Sequence, residues 1–269
     1  MIYEIETKEK VLQLSTIFEN LKKVCDYMNF IIGKNGIYTQ GMDGSHICCL
    51  ELNLTPDWFD KSKVNDKEYN IGINCEILAN VFRCLEPDQS IKITYMENST
   101  EELLVYFEGG GVDKMFEIPL MDIDTEQLGI PDADYSADIV INSNDFHHML
   151  SQLNHFGTKL KFKLGYDDNI YIRTEGDLGK MQVRIKDEDI VEYVLEEEKM
   201  FEVDFGIRFL ERFCGFSKVN HFVNLHISEN IPMKMQYNLS NWKENTSEEN
   251  YIDKNYIKIY LAPLVDDDN

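Results

Sequence analysis

This chain of 269 residues is short of basic side chains, short of cysteine and without any long apolar run. Each shortage removes a class of protein. No apolar stretch approaches the roughly 18 residues that a membrane-spanning helix requires, so no membrane association is expected. The opening MIYEIETKEK has neither the basic start nor the apolar centre of a signal peptide, which predicts a protein kept inside the cell. N-x-S/T triplets such as those at Asn98 and Asn245 therefore carry no argument for glycosylation. The cysteines (Cys25, Cys48, Cys49, Cys75, Cys84 and Cys214) include no C-x-x-C pair and read as reduced core residues, with Cys48 and Cys49 on opposite faces of a strand. Acidic side chains number 49 against 26 basic ones, for a formal charge of −23, and no Lys/Arg-rich run exists. Such a balance excludes a surface that is basic throughout and leaves room only for a limited basic area on a body that otherwise repels polyanions.

Signatures of chemistry are missing too. Gly109 to Gly111 is not followed by G-K-S/T, and Val112 to Pro119 reads as a strand, so the glycines predict a hairpin turn and no phosphate loop. Asp122, Asp124 and Glu126 sit at two-residue spacing, yet the glycine and distal glutamate of a calcium loop are absent. Asp266 to Asp268 form a charged tail. His147 and His148 are adjacent on a helical pattern and point about a hundred degrees apart, which excludes a shared metal. With no G-x-S-x-G or H-E-x-x-H set, no metal, cofactor or catalytic residue is expected.

What the chain does have is apolar material, at 43% hydrophobic and 12% aromatic, enough for the cores of two domains. Four helical patterns stand out. From Glu9 to Tyr27, Leu14, Ile17, Phe18, Leu21, Val24 and Cys25 make one stripe, with Ser15, Thr16, Glu19, Lys22 and Lys23 on the other face. From Cys75 to Leu85, Ile77, Leu78, Val81 and Leu85 point inward and Glu76, Asn80 and Arg83 outward, with Pro87 closing the pattern. After Ser143 as N-cap, Phe146, Met149, Leu150 and Leu153 face inward and His148 and Ser151 outward. From Gly206 to Phe216, Ile207, Phe209, Leu210 and Phe213 are inward and Arg208, Glu211 and Arg212 outward. Alternating segments between them, among them Cys48 to Leu54, Leu103 to Phe107, Leu160 to Leu164 and Phe222 to Ile227, predict strands. The aperiodic Leu120 to Ser136 separates two halves of like content, so the fold expected is α+β: two similar domains of antiparallel sheet with two helices each, at 1–119 and 137–269, joined by a loop at 120–136. That loop carries Leu128, Ile130 and Tyr135, apolar residues that a solvated strap normally avoids, and so reads as a linker that also binds.

Four motifs now align in order: QGMDGSHICCLELNL at Gln40 to Leu54, LMDIDTEQLGIPDADYS at Leu120 to Ser136, GDLG at Gly176 to Gly179 and YLAP at Tyr260 to Pro263. Together they closely resemble eukaryotic-type DNA sliding clamps of the proliferating cell nuclear antigen family, nearly end to end. The resemblance implies a homotrimeric ring that encircles duplex DNA with only weak direct contacts, is mounted by a clamp loader, and tethers DNA polymerase and repair proteins through peptide motifs. It implies DNA-facing bases at Lys22, Arg83 and Arg208, to which the outward helix faces add Lys23, His148 and Arg212, although scattered surface bases would account for the same residues. Other bases of the family's lining are replaced here by Ser15, Thr16, Asn80, His148 and Ser151, so the lining is thin and a weak, salt-sensitive grip is expected. A partner-peptide pocket is implied at Met42, His46, Ile47, Leu128, Ile130, Pro232, Tyr260, Ala262 and Pro263; without the resemblance, Met42 and Tyr260 read as core. Subunit edges are implied at Lys114, Phe116 and Ile118, and at Leu178, Met181, Val183 and Ile185. The loop Gly165 to Asn169 holds no lysine where the family is modified, and the stretch Asn238 to Asn255, with Trp242, is longer than the family's and has no assigned role. The compartment implied is the nucleus or the replication compartment of a large DNA virus. Rival readings are a non-ring processivity factor of the same fold, one subunit of a heterotrimeric checkpoint-type clamp, and a hydrolase using the strap carboxylates.

Overall fold

A computed structural model of the chain describes residues 1–96, 101–124, 127–130, 133–166, 169–197, 199–239 and 254–265. Glu126, the Asp266 to Asp268 tail, most of the 238–255 stretch including Trp242, and positions 167 and 168 lie outside the described residues. Two compact units result, Met1–Gly129 with Asn238–Ile257, and Ile130–Tyr237 with Lys258–Asn269.

Unit 1 runs β1 (Ile2–Ile5), α1 (Lys8–Asn20), β2 (Tyr27–Gly33), β3 (Gly36–Met42), β4 (Cys48–Leu54), β5 (Lys61–Lys63), β6 (Glu68–Asn74), α2 (Cys75–Phe82), β7 (Ser90–Thr94), β8 (Glu102–Glu108) and β9 (Lys114–Pro119). Its strands lie in the orders β5-β1-β7-β8-β9 and β6-β2-β3-β4. Unit 2 runs β10 (Ala137–Asn142), α3 (Ser143–Leu153), β11 (Lys159–Tyr166), β12 (Asn169–Gly176), β13 (Gly179–Ile185), β14 (Ile190–Leu195), β15 (Phe201–Gly206), α4 (Ile207–Phe213), β16 (Phe222–Ile227), β17 (Met233–Asn238) and β18 (Tyr256–Leu261), the last entering it from Lys258 on. The orders there are β14-β10-β16-β17-β18 and β15-β11-β12-β13. Element for element and neighbour for neighbour, unit 2 repeats unit 1. This is the duplication that the two helices in each half predict.

Each unit closes on its own core. In unit 1, Phe82 stands edge-on to Phe18 at 4.8 Å and meets Phe107 at 5.5 Å. In unit 2, Phe162 and Phe205 pack at 5.9 Å, with Phe146, Leu150, Leu153 and Phe213 buried on the helices. Each such side chain contributes about 1.5–3 kcal/mol by leaving water. Helix starts follow local chemistry: Asn74 caps α2 by accepting from the Glu76 and Ile77 amides at 2.9 and 3.2 Å, and Asn142 caps α3 in the same manner.

Several sequence expectations are corrected. Ser143 is the first helical residue and not the cap of α3, because the Asn142 side-chain oxygen reaches the free amides and the Ser143 hydroxyl donates to the Asn220 carbonyl at 2.8 Å. The first helix stops at Asn20 with a 3₁₀ turn to Lys23, and Tyr27 already pairs with Asn74 as β2, so strand pairing overrides the continuing stripe. Ser15 and Thr16 are buried; the Ser15 hydroxyl satisfies itself on the Leu12 carbonyl at 3.0 Å, which lets a polar residue face the core. Helix α2 ends at Phe82, well before Pro87, and Ile77, Leu85 and Met149 are only half-buried while Ala79 and Phe82 fill the core. Cys48 and Cys49 are both buried, since both faces of β4 are covered at its start. Burial pushes the Cys49 and Cys75 thiols up to about 12, so they stay neutral, whereas Cys84 is exposed and is no core residue.

The segment from Leu120 lies across the β6-β2-β3 face of unit 1. The Met121 amide donates to the Gly72 carbonyl on β6 at 3.0 Å, the Asn29 amide on β2 donates to the Ile123 carbonyl at 2.9 Å, and Gln40 on β3 exchanges bonds with the Leu128 backbone at 2.7 and 3.1 Å. Gly72 makes the approach possible. A Cβ there would lie 2.2 Å from the Met121 carbonyl oxygen. An aperiodic strap is thus held by its own backbone and not by a buried stripe.

Candidate nucleic-acid, partner and subunit surfaces

The helical bases come first. On unit 1, Lys22 is half-buried and its ammonium grips both Glu76 carboxylate oxygens at 2.7 and 2.8 Å, while Arg83, at the C-cap of α2, donates to the Asn80 side chain at 2.9 Å. Lys23 is exposed. The Lys22 hydrogen bond, with help from the Arg83 charge, holds the Glu76 carboxyl below its ordinary range. That carboxylate sits among the bases and offsets part of their charge, beyond the thinning visible in the sequence. The pair is exposed on the Glu76 side, so an incoming phosphate competes with it at little cost. On unit 2, Arg208 and Arg212 are exposed and lie over the Phe209 ring at 5.2 and 5.8 Å, with exposed His148 on α3. Their guanidinium groups are steadied by the ring without being neutralised.

The peptide-pocket residues fall into two sets. In unit 1, Met42, His46 and Ile47 flank the β3–β4 turn, and Leu128 is brought to β3 by the Gln40 bonds; none of the four is buried. The turn itself is built by Asp43, which sequence reasoning did not single out. One of its carboxylate oxygens accepts from the Ile47 and Cys48 amides at 2.7 Å each, and the other from the Ser45 amide at 3.2 Å and from the Ser45 hydroxyl. Burial alone would raise this carboxyl, and the four donors outweigh it and hold it below the usual range. His46 is thereby kept in the left-handed region at φ 58°. Asp43→Ala should cost about 1–2 kcal/mol, lowering Tm by roughly 3–6 °C, and should speed amide exchange at Ile47 and Cys48. Unchanged exchange there would mean that the turn holds itself.

In unit 2, Ile130, Tyr260, Ala262 and Pro263 are half-buried and Pro232 is exposed. A further residue joins them. The Tyr135 hydroxyl donates to the Pro232 carbonyl at 3.2 Å, its ring lies 5.5 Å from His226, and the Lys234 ammonium stands 5.1 Å above it. His226 in turn bonds Asp138. Tyr135 was conspicuous as an apolar residue in the strap, but its partners come from β16 and β17, far along the chain.

The proposed edges are outermost strands among the described residues: β9 pairs only with β8, and β13 only with β12. On β9, Lys114 donates to the Cys84 carbonyl and to Glu86 at 2.7 and 2.6 Å, and Phe116 packs on Phe107 at 5.3 Å. Ile118 is fully buried, so any part it plays in pairing is through the main chain. At β13, Met181, Val183 and Ile185 are half-buried, and Leu178, in the turn before the strand, is 79% exposed. Among the described residues no group of His, Cys, Asp and Glu has metal-binding geometry, and no helix is long and apolar enough to cross a membrane.

Comparison with known proteins agrees with this architecture. The family "Proliferating cell nuclear antigen, N-terminal domain" matches residues 2–127, and its C-terminal counterpart matches residues 129–248. A curated proliferating cell nuclear antigen from Chaetomium thermophilum is 26% identical over 267 residues, covering 97% of each chain. With both family domains matched in order across most of its length, the chain belongs to the proliferating cell nuclear antigen family, the non-enzymatic DNA sliding clamps of replication and repair.

Proposed function

We propose that this clamp works as a homotrimeric ring closed around duplex DNA, with Lys22, Lys23, Arg83, His148, Arg208 and Arg212 toward the DNA, in the nucleus or the replication compartment of a large DNA virus. Its clamp domains would be 1–119 and 137–269, with 120–136 as connecting loop. A clamp loader mounts it, and DNA polymerase and repair proteins bind it by peptide motifs at Met42, His46, Ile47, Leu128, Ile130, Pro232, Tyr260, Ala262 and Pro263. The observation that carries the ring is the pair of unlike outer strands, β9 and β13. Because they differ, pairing one with the other on a second copy is head to tail, and such pairing builds rings or filaments instead of two-fold dimers. Pro119 ends β9 and limits how far the pairing can extend.

Sedimentation tests it. Three copies carry three times −23, and that repulsion opposes closure, whereas backbone pairing and apolar contact are insensitive to salt. The trimer, three times 31.5 kDa, should therefore strengthen as salt rises, with most of the gain by about 0.1 M, where the screening length is about 10 Å. A monomer or dimer at every salt concentration would point to a non-ring factor or to one subunit of a heterotrimeric clamp.

A further inference from the structure

Among the described residues, positive charge gathers on one sheet face of unit 2. Strand β11 alternates Lys159, Lys161 and Lys163 outward with Leu160, Phe162 and Leu164, which are fully buried. Registered beside them on β12 and β13 are Tyr171 and Arg173, then Arg184, Gln182 and Lys180. Two cross-strand rows result, Lys163–Tyr171–Arg184 and Lys161–Arg173–Gln182. The face thus holds six cations against three carboxylates, Glu175, Glu202 and Asp204, in a chain whose total charge is −23. The carboxylates lie at its margins: Lys161 reaches Glu202 and Asp204 at 3.3 and 3.7 Å, Lys163 bonds Glu202, and Glu175 takes Arg173 and Lys180 at 3.0 and 2.6 Å. The pairs of Glu175 with Arg173 and Lys180 are exposed, worth little, and yield to a stronger anion, whereas those of Glu202 and Asp204 are half-buried and hold the edge of the face.

We propose that this face binds single-stranded nucleic acid without base preference. Charge complementarity selects a polyanion. Cations on one face of a strand recur about every 7 Å and neighbouring strands are about 4.8 Å apart, a grid that a flexible phosphodiester chain can follow. Tyr171, half-buried between Lys163 and Arg184, selects the single strand. An aromatic ring flush with a flat face is reached by an unstacked base, and a duplex keeps its bases inside. The site is separate from the helical bases and lies on the side of the sheet away from the unit's core.

Anisotropy of a labelled oligothymidylate of about 12 nucleotides, titrated with the full chain from about 50 mM salt upward, tests this. Binding should weaken with a log–log slope near −3, for about four phosphates neutralised. Tyr171→Ser should weaken it roughly tenfold, and Lys159→Glu with Arg184→Glu by at least as much. Tyr171 neighbours Arg184 on β13, so each variant is also sedimented, and wild-type assembly with weakened binding assigns the loss to the face itself. The helical variant Lys22→Ala, Arg83→Ala, Arg208→Ala, Arg212→Ala should bind the oligomer normally. The proposal is overturned if wild type does not bind, if the sheet variants bind as wild type does, if the helical variant abolishes binding, or if a hairpin duplex or polyaspartate of equal length competes as well as the oligomer.

Discussion

Asp60→Ala should destabilise unit 1 by about 2–3 kcal/mol, out of proportion to one partly exposed carboxylate. Thr7, the residue at the N-cap of α1, makes no side-chain cap of its own. Asp60 instead fixes the chain that enters the helix, from more than fifty residues away: one carboxylate oxygen accepts from the Glu6 and Thr7 amides at 2.6 and 2.7 Å, the other from the Thr7 hydroxyl at 3.0 Å and the Lys10 ammonium at 2.8 Å. Alanine leaves the amides of Glu6 and Thr7, just before the helix, and the Lys10 ammonium without that acceptor. Asparagine keeps the shape and should lose about half as much. Burial by itself would raise the Asp60 carboxyl, but the Lys10, Thr7 and Glu6 donors prevail and hold it far below the usual range. A carboxyl depressed by folding stabilises the native state fully above its unfolded value, near 3.9, and the benefit fades as pH falls through the folded value. In urea titrations the gap between wild type and Asp60→Ala should therefore be full at neutral pH and shrink below about pH 4. A gap that widened on acidification would refute this account.

The second large effect belongs to the strap. Leu128→Ser with Ile130→Ser should abolish measurable binding of a glutamine-led peptide ending in paired aromatics, a loss of roughly a hundredfold or more, while assembly and Tm stay within error. Leu128 is 41% exposed and held only through its backbone by Gln40, so its side chain is available to a partner and no core depends on it. Each well-buried aliphatic contact is worth about 1.5–3 kcal/mol, and two lost contacts exceed what a micromolar complex can spare. Calorimetric titration decides it. Unchanged affinity would reduce the strap to a tether.

Some of this molecule was legible from its residues alone. Alternation in Cys48 to Leu54, Leu160 to Leu164 and Phe222 to Ile227 marked strands, and three- and four-residue spacing placed all four helices, because burial on one face is a local pattern that the chain must carry in its order. The strap announced itself by having no period. The DNA clamp fold followed from these and from the motif resemblance. Errors arose where a distant partner decided the outcome. The stripe from Leu14 to Cys25 could not reveal that Tyr27 would pair with Asn74, nor that a serine and a threonine would face the core. Asp43 and Tyr135 went unassigned because an acceptor or a ring acquires its role only when four donors, or β16 and β17, converge on it. Asp60 was invisible for the same reason. Net charge, too, was a property of composition; that Glu76 would pair with Lys22, and that three lysines of β11 would join Arg173, Lys180 and Arg184 on one face, was settled by strand register and helix packing, which bring residues far apart in sequence within the few ångströms over which charges act.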